Sequence, residues 1–383
     1  MSANFYDVIV AGAGPAGSTA AQCCSEQGIK TLLIDKAIFP RYKPCGGSLS
    51  LRTLSCLDFT LPPDIIEAEC TVVKVYYKDK SALYKKSGRI TVMVSRRKFD
   101  NLLYERARDS GCTTLTGERV VSIEDNSNHI TVNTEKGAYD SMFLIGADGA
   151  NSVVSRFLNG AHRAYLSASA FVSEIVPTKP SFEKDVLNFY FDDYCDGYAW
   201  IFPHGGYLSA GVWGTDWGGS NPLDFMKRFL MSHNLPSDKI RGHKMPLWDR
   251  KRKICSDKIL LTGDAAGFID SFSGEGIYTA ILSGKIAAES VSDCIIKKKT
   301  AVYDYEKRCN TLFGNNLRYA LCFNRMVRKF PQIFLNKFAS DNRLLKRYID
   351  NHASNTSYRD YVKSLSINLS TLLPSERRQS RIP

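Results

Sequence analysis

Three short runs of this chain carry residue types whose spacing points to chemistry. The first is Gly12-Ala13-Gly14-Pro15-Ala16-Gly17, with Asp35 eighteen residues beyond the last glycine. Glycine at 12 permits a tight turn. At 14 it lets backbone approach a pyrophosphate, and at 17 it lets a helix pack closely on a strand. Free N–H groups at the helix start face the phosphates, helped by the helix dipole. Asp35 can accept hydrogen bonds from a ribose diol. Such a turn implies a bound dinucleotide and does not say which one. The second run is Leu144-Ile145-Gly146-Ala147-Asp148-Gly149-Ala150-Asn151-Ser152. The third is Ile259-Leu260-Leu261-Thr262-Gly263-Asp264-Ala265-Ala266-Gly267, followed by Gly274-Glu275-Gly276-Ile277.

The surrounding elements must position these runs. Asp7 to Ala11 reads as a buried parallel strand, Ser18 to Gln27 as a helix closed by Gly28, and Thr31 to Asp35 as a second strand. Arg96 to Ser110 reads as a helix with Phe99, Leu102, Leu103 and Ala107 on one face. Asn128 to Lys136 and Ala138 to Ile145 read as a hairpin. From about Leu166 to Met245 strand-like runs alternate with Gly, Asp and Pro, which suggests an inserted antiparallel sheet. Gly276 to Ile296 reads as a long helix. The expected class is α/β plus α+β. A Rossmann-like unit spans 1–65, 91–160 and 250–300; an antiparallel-sheet substrate unit spans 66–90 and 161–249; a helical region spans 301–383. The Ser/Arg-rich tail that closes that region is expected to be disordered.

The three runs occur in the order glycine turn, central Asp-Gly, late Gly-Asp. In this the sequence resembles the two-domain FAD enzymes of the para-hydroxybenzoate hydroxylase fold. The resemblance implies FAD as cofactor. Asp264 would accept a hydrogen bond from a ribityl hydroxyl, with a helix N-cap as its plainer role. Gly274, Gly276 and Ile277 would let backbone and a helix dipole stabilise negative charge on reduced flavin. Arg96 matches the position that contacts the FAD phosphate region. Lys36, Val120, Pro15 and Ala16 join the cofactor residues, while Asp148 is expected mainly to shape a turn.

Phe39-Pro40-Arg41-Tyr42-Lys43-Pro44-Cys45-Gly46-Gly47-Ser48 is similar to the KPCGG segment of geranylgeranyl reductases. Tyr198-Ala199-Trp200-Ile201-Phe202-Pro203 matches the core of that family's longer signature, with Cys195 where a proline is expected. The resemblance runs from Phe5 to Asp293. It implies saturation of polyprenyl C=C bonds by reduced FAD, with NAD(P)H or ferredoxin as the external electron source. Tyr198, Trp200 and Phe202 alternate along a strand and would line an apolar tunnel, with Pro203 beside them; plain core packing is the alternative. Cys45 is the candidate acid or positioning group, against a role as a small buried residue. Gly46, Gly47 and Ser48 would form backbone around FAD. A flavin monooxygenase or halogenase of the same fold is the rival reading. A carrier that binds polyprenyl lipid without turnover is a third.

Composition narrows the setting. The chain has 383 residues and a net charge of +12. Its eleven cysteines lack zinc-ligand spacing, so no metal is expected, and reduced thiols suit a cytoplasmic protein. Asp7 interrupts the apolar N-terminus, which argues against a secretory signal. No run of 18 apolar residues is present. From Arg325 onward twelve Lys/Arg face four Asp/Glu. Those charges, interleaved with Phe330, Phe334, Phe338, Leu344, Leu345, Tyr348 and Ile349, leave two readings. One is peripheral contact with an anionic membrane; the other is a solvated helical face packed on the body. No nucleic-acid motif is present.

Overall fold

The computed structural model describes residues 4–160, 165–177, 182–192, 196–237, 239–299, 302–353 and 358–369. Cys195, the departure noted above, and the tail after 369 lie outside the described residues.

The β-rich, hydrophobic run Phe5–Ala11 forms the centre of a seven-stranded sheet. It pairs in parallel with Thr31–Asp35 on one side and Ala138–Gly146 on the other. Thr113–Thr116 extends the first side in parallel. The far edge of Ala138–Gly146 is shared. Its first half pairs antiparallel with Ile130–Thr134, which pairs with Val120–Asp125. Its last residues pair in parallel with Ile259–Leu261. The expected hairpin is therefore present. Val8, Ile9, Val10, Leu32, Leu144, Ile145 and Leu260 are fully buried. Each contributes roughly 1.5–3 kcal/mol of apolar burial, which explains why a parallel sheet reads as unbroken aliphatic runs.

Three parallel strands end at one level, and their C-terminal ends carry the three motif runs. This is where ligands bind in open α/β sheets. The helix Pro15–Glu26 leaves the glycine turn with Pro15 at its first position, earlier than the expected start at Ser18. It packs on the helix Ile277–Ile296 so closely that a Cβ on Gly284 would lie 2.3 Å from the Ala16 carbonyl oxygen. Both helices thus point their N-termini at the same region. The helix Arg96–Asp109 buries Phe99, Leu103 and Ala107 beside them.

A second seven-stranded sheet follows the order Arg241–Pro246, Ser167–Ile175, Leu208–Gly214, Gly197–Pro203, Val186–Phe191, Val72–Tyr77, Lys80–Lys85. It departs from the expected all-antiparallel sheet at one place, where Val186–Phe191 and Val72–Tyr77 pair in parallel. Strand direction is set by the long chain excursion between them, which no local pattern reports. A third sheet of Ser48–Ser50, Thr91–Val94 and Ile66–Cys70 was not foreseen. Its strands are too short to show a period.

The C-terminal helices Pro331–Phe338 and Asn342–Ala353 fold back onto the second sheet. Phe338, Leu344, Leu345 and Ile349 are buried there, so most of the apolar residues of the basic segment pack on the body. Phe330 stays 46% exposed and Ile333 56% exposed. No described helix is long and apolar enough to cross a membrane.

Candidate active site

The converging strand ends, helix N-termini and second sheet enclose a cavity of about 730 Å³. At its polar end lies the glycine turn. Gly12 has φ +101°, and a Cβ there would sit 2.3 Å from the Ala147 carbonyl oxygen. Gly14 is the N-cap, has no capping side chain, and leaves the first-turn amides of its helix to a ligand. Both Asp35 carboxylate oxygens accept a backbone N–H, from Ala13 and from Ala37, each at 2.7 Å. Those bonds fix the carboxylate at the cavity wall and leave lone pairs for a ribose diol. Arg96 makes a two-pronged pair with the fully buried Asp100, at 2.6 and 2.8 Å, and Arg41 reaches the same carboxylate at 3.0 Å. Arg41 Nη1 is buried and has no hydrogen-bond partner among the described residues. A second guanidinium nitrogen of Arg41 lies 3.6 Å from where a Gly14 Cβ would be. A guanidinium with one unpartnered nitrogen, set beside an open helix N-terminus, suits phosphate oxygens.

Asp264 faces the cavity from the short helix Gly263–Ala266, whose N-cap is Thr262. The capping alternative for Asp264 therefore does not hold. Its Oδ2 lies 3.8 Å from His243 Nε2. Burial opposes its charge, but the nearby His243 ring and the charges of Lys43 and Arg96 outweigh burial and hold the carboxyl below its ordinary range. Lys43 Nζ contacts both ring nitrogens of His243, with Nδ1 at 3.1 Å. Burial pushes that amine down to about 8 against the pull of Asp264. Beyond it, Gly274 adopts φ +69° and Gly276 caps the Ile277–Ile296 helix without a side chain. Glu275 between them is tied to the opposite wall: it accepts from Ser50 Oγ at 2.5 Å, from Arg52 Nε at 2.9 Å and from Thr53 Oγ1 at 3.1 Å. This clasp holds the helix start against the Ser48–Ser50 strand.

The other end of the cavity is apolar. Tyr198, Trp200 and Phe202 line it from one face of their strand, as the alternation required. Phe189 meets both Tyr198 and Phe202 edge to face, at 5.2 and 5.1 Å. Val73, Val75, Ala170, Leu187 and Phe272 continue the wall, and Phe338, Leu345 and Ile349 roof it. The Cys45-Gly46-Gly47 loop crosses between the two ends. A Cβ on Gly46 would meet Phe202 at 3.1 Å and Trp200 Nε1 at 3.3 Å, so glycine lets the loop lie on the aromatic strand. Cys45 Sγ accepts from the Gly47 N–H at 3.4 Å and contacts Arg96.

Residues 5–189 match the FAD binding domain family model. Over 308 residues the chain is 34% identical to an uncharacterized protein of Methanosarcina barkeri, covering 79% of this chain and 78% of that one. It is 31% identical over 309 residues to the geranylgeranyl diphosphate reductase of Rhodobacter capsulatus, covering 74% of each. The chain belongs to the geranylgeranyl reductase family. A geranylgeranyl bacteriochlorophyll reductase-like protein from Thermoplasma acidophilum shares the fold, at TM-score 0.82 and 23% identity over 95% of this chain and 99% of that one. As a family member the protein is an FAD-dependent oxidoreductase, and its polar half suits that cofactor. The open amides after Gly14, the unpartnered Arg41 nitrogen and the Asp35 carboxylate match the pyrophosphate and ribose of a dinucleotide.

Of the residues expected to form the site, the cavity wall brings together Gly12, Gly14, Pro15, Ala16, Asp35, Lys36, Cys45, Gly46, Gly47, Ser48, Arg96, Val120, Tyr198, Trp200, Phe202, Asp264, Gly274, Gly276 and Ile277. Gly17 and Pro203 are not on it. Gly17 packs against the turn itself, where a Cβ would lie 1.7 Å from the Gly12 carbonyl oxygen. Pro203 ends its strand opposite Leu208, one step past the cavity face. Asp148 does shape a turn, accepting from the Ser152 hydroxyl and, at 2.6 Å, the Val153 N–H. Sequence reasoning gave no role to Arg41, Lys43, His243 or the Arg52–Glu275 pair. Arg41 and Lys43 lie inside the quoted loop and could have been found by asking which cations flank a phosphate turn. His243 had no local signal.

Proposed function

We propose that this protein saturates C=C bonds of polyprenyl chains carried by a lipid or isoprenoid precursor. The observation that carries the reading is one continuous cavity: a phosphate-binding glycine turn at one end and an aromatic-walled apolar chamber at the other. When bound, reduced FAD supplies the hydride. The chain's own residues do the rest. Tyr198, Trp200 and Phe202 hold an isoprene unit by apolar contact, and the chamber excludes water from the reacting bond. Cys45, where the two ends meet, is the candidate proton donor or positioning group. Gly46, Gly47, Ser48, Gly274, Gly276 and Ile277 present backbone to the cofactor, and Asp264 takes a hydroxyl of it. Gly12, Gly14, Pro15, Ala16, Asp35, Lys36, Arg96 and Val120 hold the nucleotide part.

The division into a discontinuous cofactor unit, a substrate unit and a helical C-terminal region belongs to this reading. So does contact of the basic C-terminal helices with an anionic headgroup or membrane surface. The external reductant is NAD(P)H or ferredoxin. The direct test incubates the flavoprotein with each reductant, or dithionite, and geranylgeranyl substrates with and without an anionic headgroup. Mass spectrometry should find two hydrogens gained per bond. Hydroxylated or halogenated product in oxygen, with no saturated product, would replace this reading with an oxygenase or halogenase.

A further inference from the structure

The aromatic strand Gly197–Pro203 ends at His204, whose ring lies behind the Cys45-Gly46-Gly47 loop. Its side chain is 2% exposed. Nδ1 is 2.7 Å from Glu67 Oε2, and Nε2 is 3.1 Å from the Gly46 carbonyl oxygen. The ring stacks on Tyr207 at 4.5 Å, and the Tyr207 hydroxyl donates to the same Glu67 oxygen at 2.9 Å. Gly47 has φ +78°, and a Cβ there would lie 2.7 Å from His204 Cε1. Loop and imidazole are built against each other.

Donors and acceptors can be counted. A carbonyl only accepts, and so does a carboxylate. Burial opposes the charge on Glu67, but hydrogen bonds from His204 and Tyr207 outweigh it and hold the carboxyl below its ordinary range. A ring set between two acceptors satisfies both only with a proton on each nitrogen. The C=O and N–H of one trans peptide point in opposite directions. The Gly46–Gly47 peptide gives its oxygen to His204 and its N–H to Cys45 Sγ. A charged donor on the oxygen polarises the peptide and strengthens that N–H.

We propose that His204, held charged by Glu67, is a positioning residue that acts through the Gly46–Gly47 peptide to aim an N–H at the Cys45 sulfur and favour its thiolate. A thiol so supported is a stronger acid, which is what proton delivery to an alkene needs. Other groups face the ring. Glu174, hydrogen-bonded to Tyr42, supports its charge, while Lys98, 4.0 Å from Glu67, opposes it. Arg96 acts on the thiol from the cavity side.

The proposal rests on the reading of Cys45 given above, but its test needs no substrate. The rate of iodoacetamide labelling is followed across about pH 6 to 10 on the intact flavoprotein, read at the Cys45 peptide by mass spectrometry. His204→Phe keeps the stack and loses both bonds; its midpoint should rise by about one pH unit, slowing labelling about tenfold below it. Glu67→Gln should shift the same way by less, because a neutral ring still donates to Gly46. His204→Lys, which restores a cation, should recover part of the shift. An unchanged midpoint in folded His204→Phe overturns the proposal. If that variant does not fold, an unchanged midpoint in Glu67→Gln does so. Absence of alkene saturation with these shifts intact would count against the function, not against His204.

Discussion

At the polar end of the cavity the wall is mostly backbone and charge: Gly12, Gly14, Gly274 and Gly276, with Arg41, Lys43, Arg96, Asp35 and Asp264 around them. At the other end it is side-chain surface: Val73, Val75, Leu187, Phe189, Trp200 and Phe202, with Phe338 and Ile349 above. The polar groups of the first end are cross-braced, with two arginines on one buried aspartate and a lysine against a histidine. The second end is held by ring contacts and packing. The difference teaches what each end can recognise. A pyrophosphate needs donors at fixed points, so single atoms matter. A polyprenyl chain needs area and volume, which many residue combinations supply.

Substitutions should separate the two ends. The largest effect is expected from Gly17→Ala, because its Cβ would lie 1.7 Å from the Gly12 carbonyl oxygen. Overpacking there should cost about 3 kcal/mol and release the flavin, read by thermal melting and the absorbance of purified protein. Ala170→Phe should do the reverse. It fills the apolar chamber, so FAD stays bound while saturation of a polyprenyl substrate falls about a hundredfold. Loss of flavin in Ala170→Phe would mean the two ends are not separable. Removing the guanidinium with its unpartnered nitrogen by Arg41→Met should weaken FAD binding by about 2 kcal/mol, measured by fluorescence titration.

A smaller effect concerns pH. Lys43 titrates near about 8 when folded and at the ordinary 10.5 when unfolded. Between those values the folded chain holds fewer protons, so stability rises with pH there. The contribution is lost as pH falls through about 8. Urea unfolding should therefore show wild type gaining on Lys43→Met as pH rises, by at most about 1.4 kcal/mol per unit. Smallest should be the outer surface, where Lys329 neighbours the exposed Phe330 and Ile333. Lys329→Gln should weaken binding to anionic vesicles by about 1 kcal/mol, with the difference fading at high salt.

The cofactor half was legible because its determinants are local. A glycine whose Cβ would strike a neighbouring carbonyl must be glycine, and two such constraints fall within a few residues of each other, at 12 and 17. At the late helix start the constraint is a different local one, the positive φ of Gly274. The aromatic strand was legible for a related reason, since alternation places Tyr198, Trp200 and Phe202 on one face whatever lies opposite. What lay opposite was not legible. Whether the apolar residues near Phe338 and Ile349 meet lipid or roof the chamber depends on where two helices dock, more than a hundred residues from the strand they cover. Lys43 with His243, Arg52 with Glu275, and Glu67 with His204 are joined across 200, 223 and 137 positions. Pairings of that range carry no periodicity or spacing. They form only when packing brings strand ends from separate sheets together, and that step gave this cavity its charges, its roof and the ring behind Cys45.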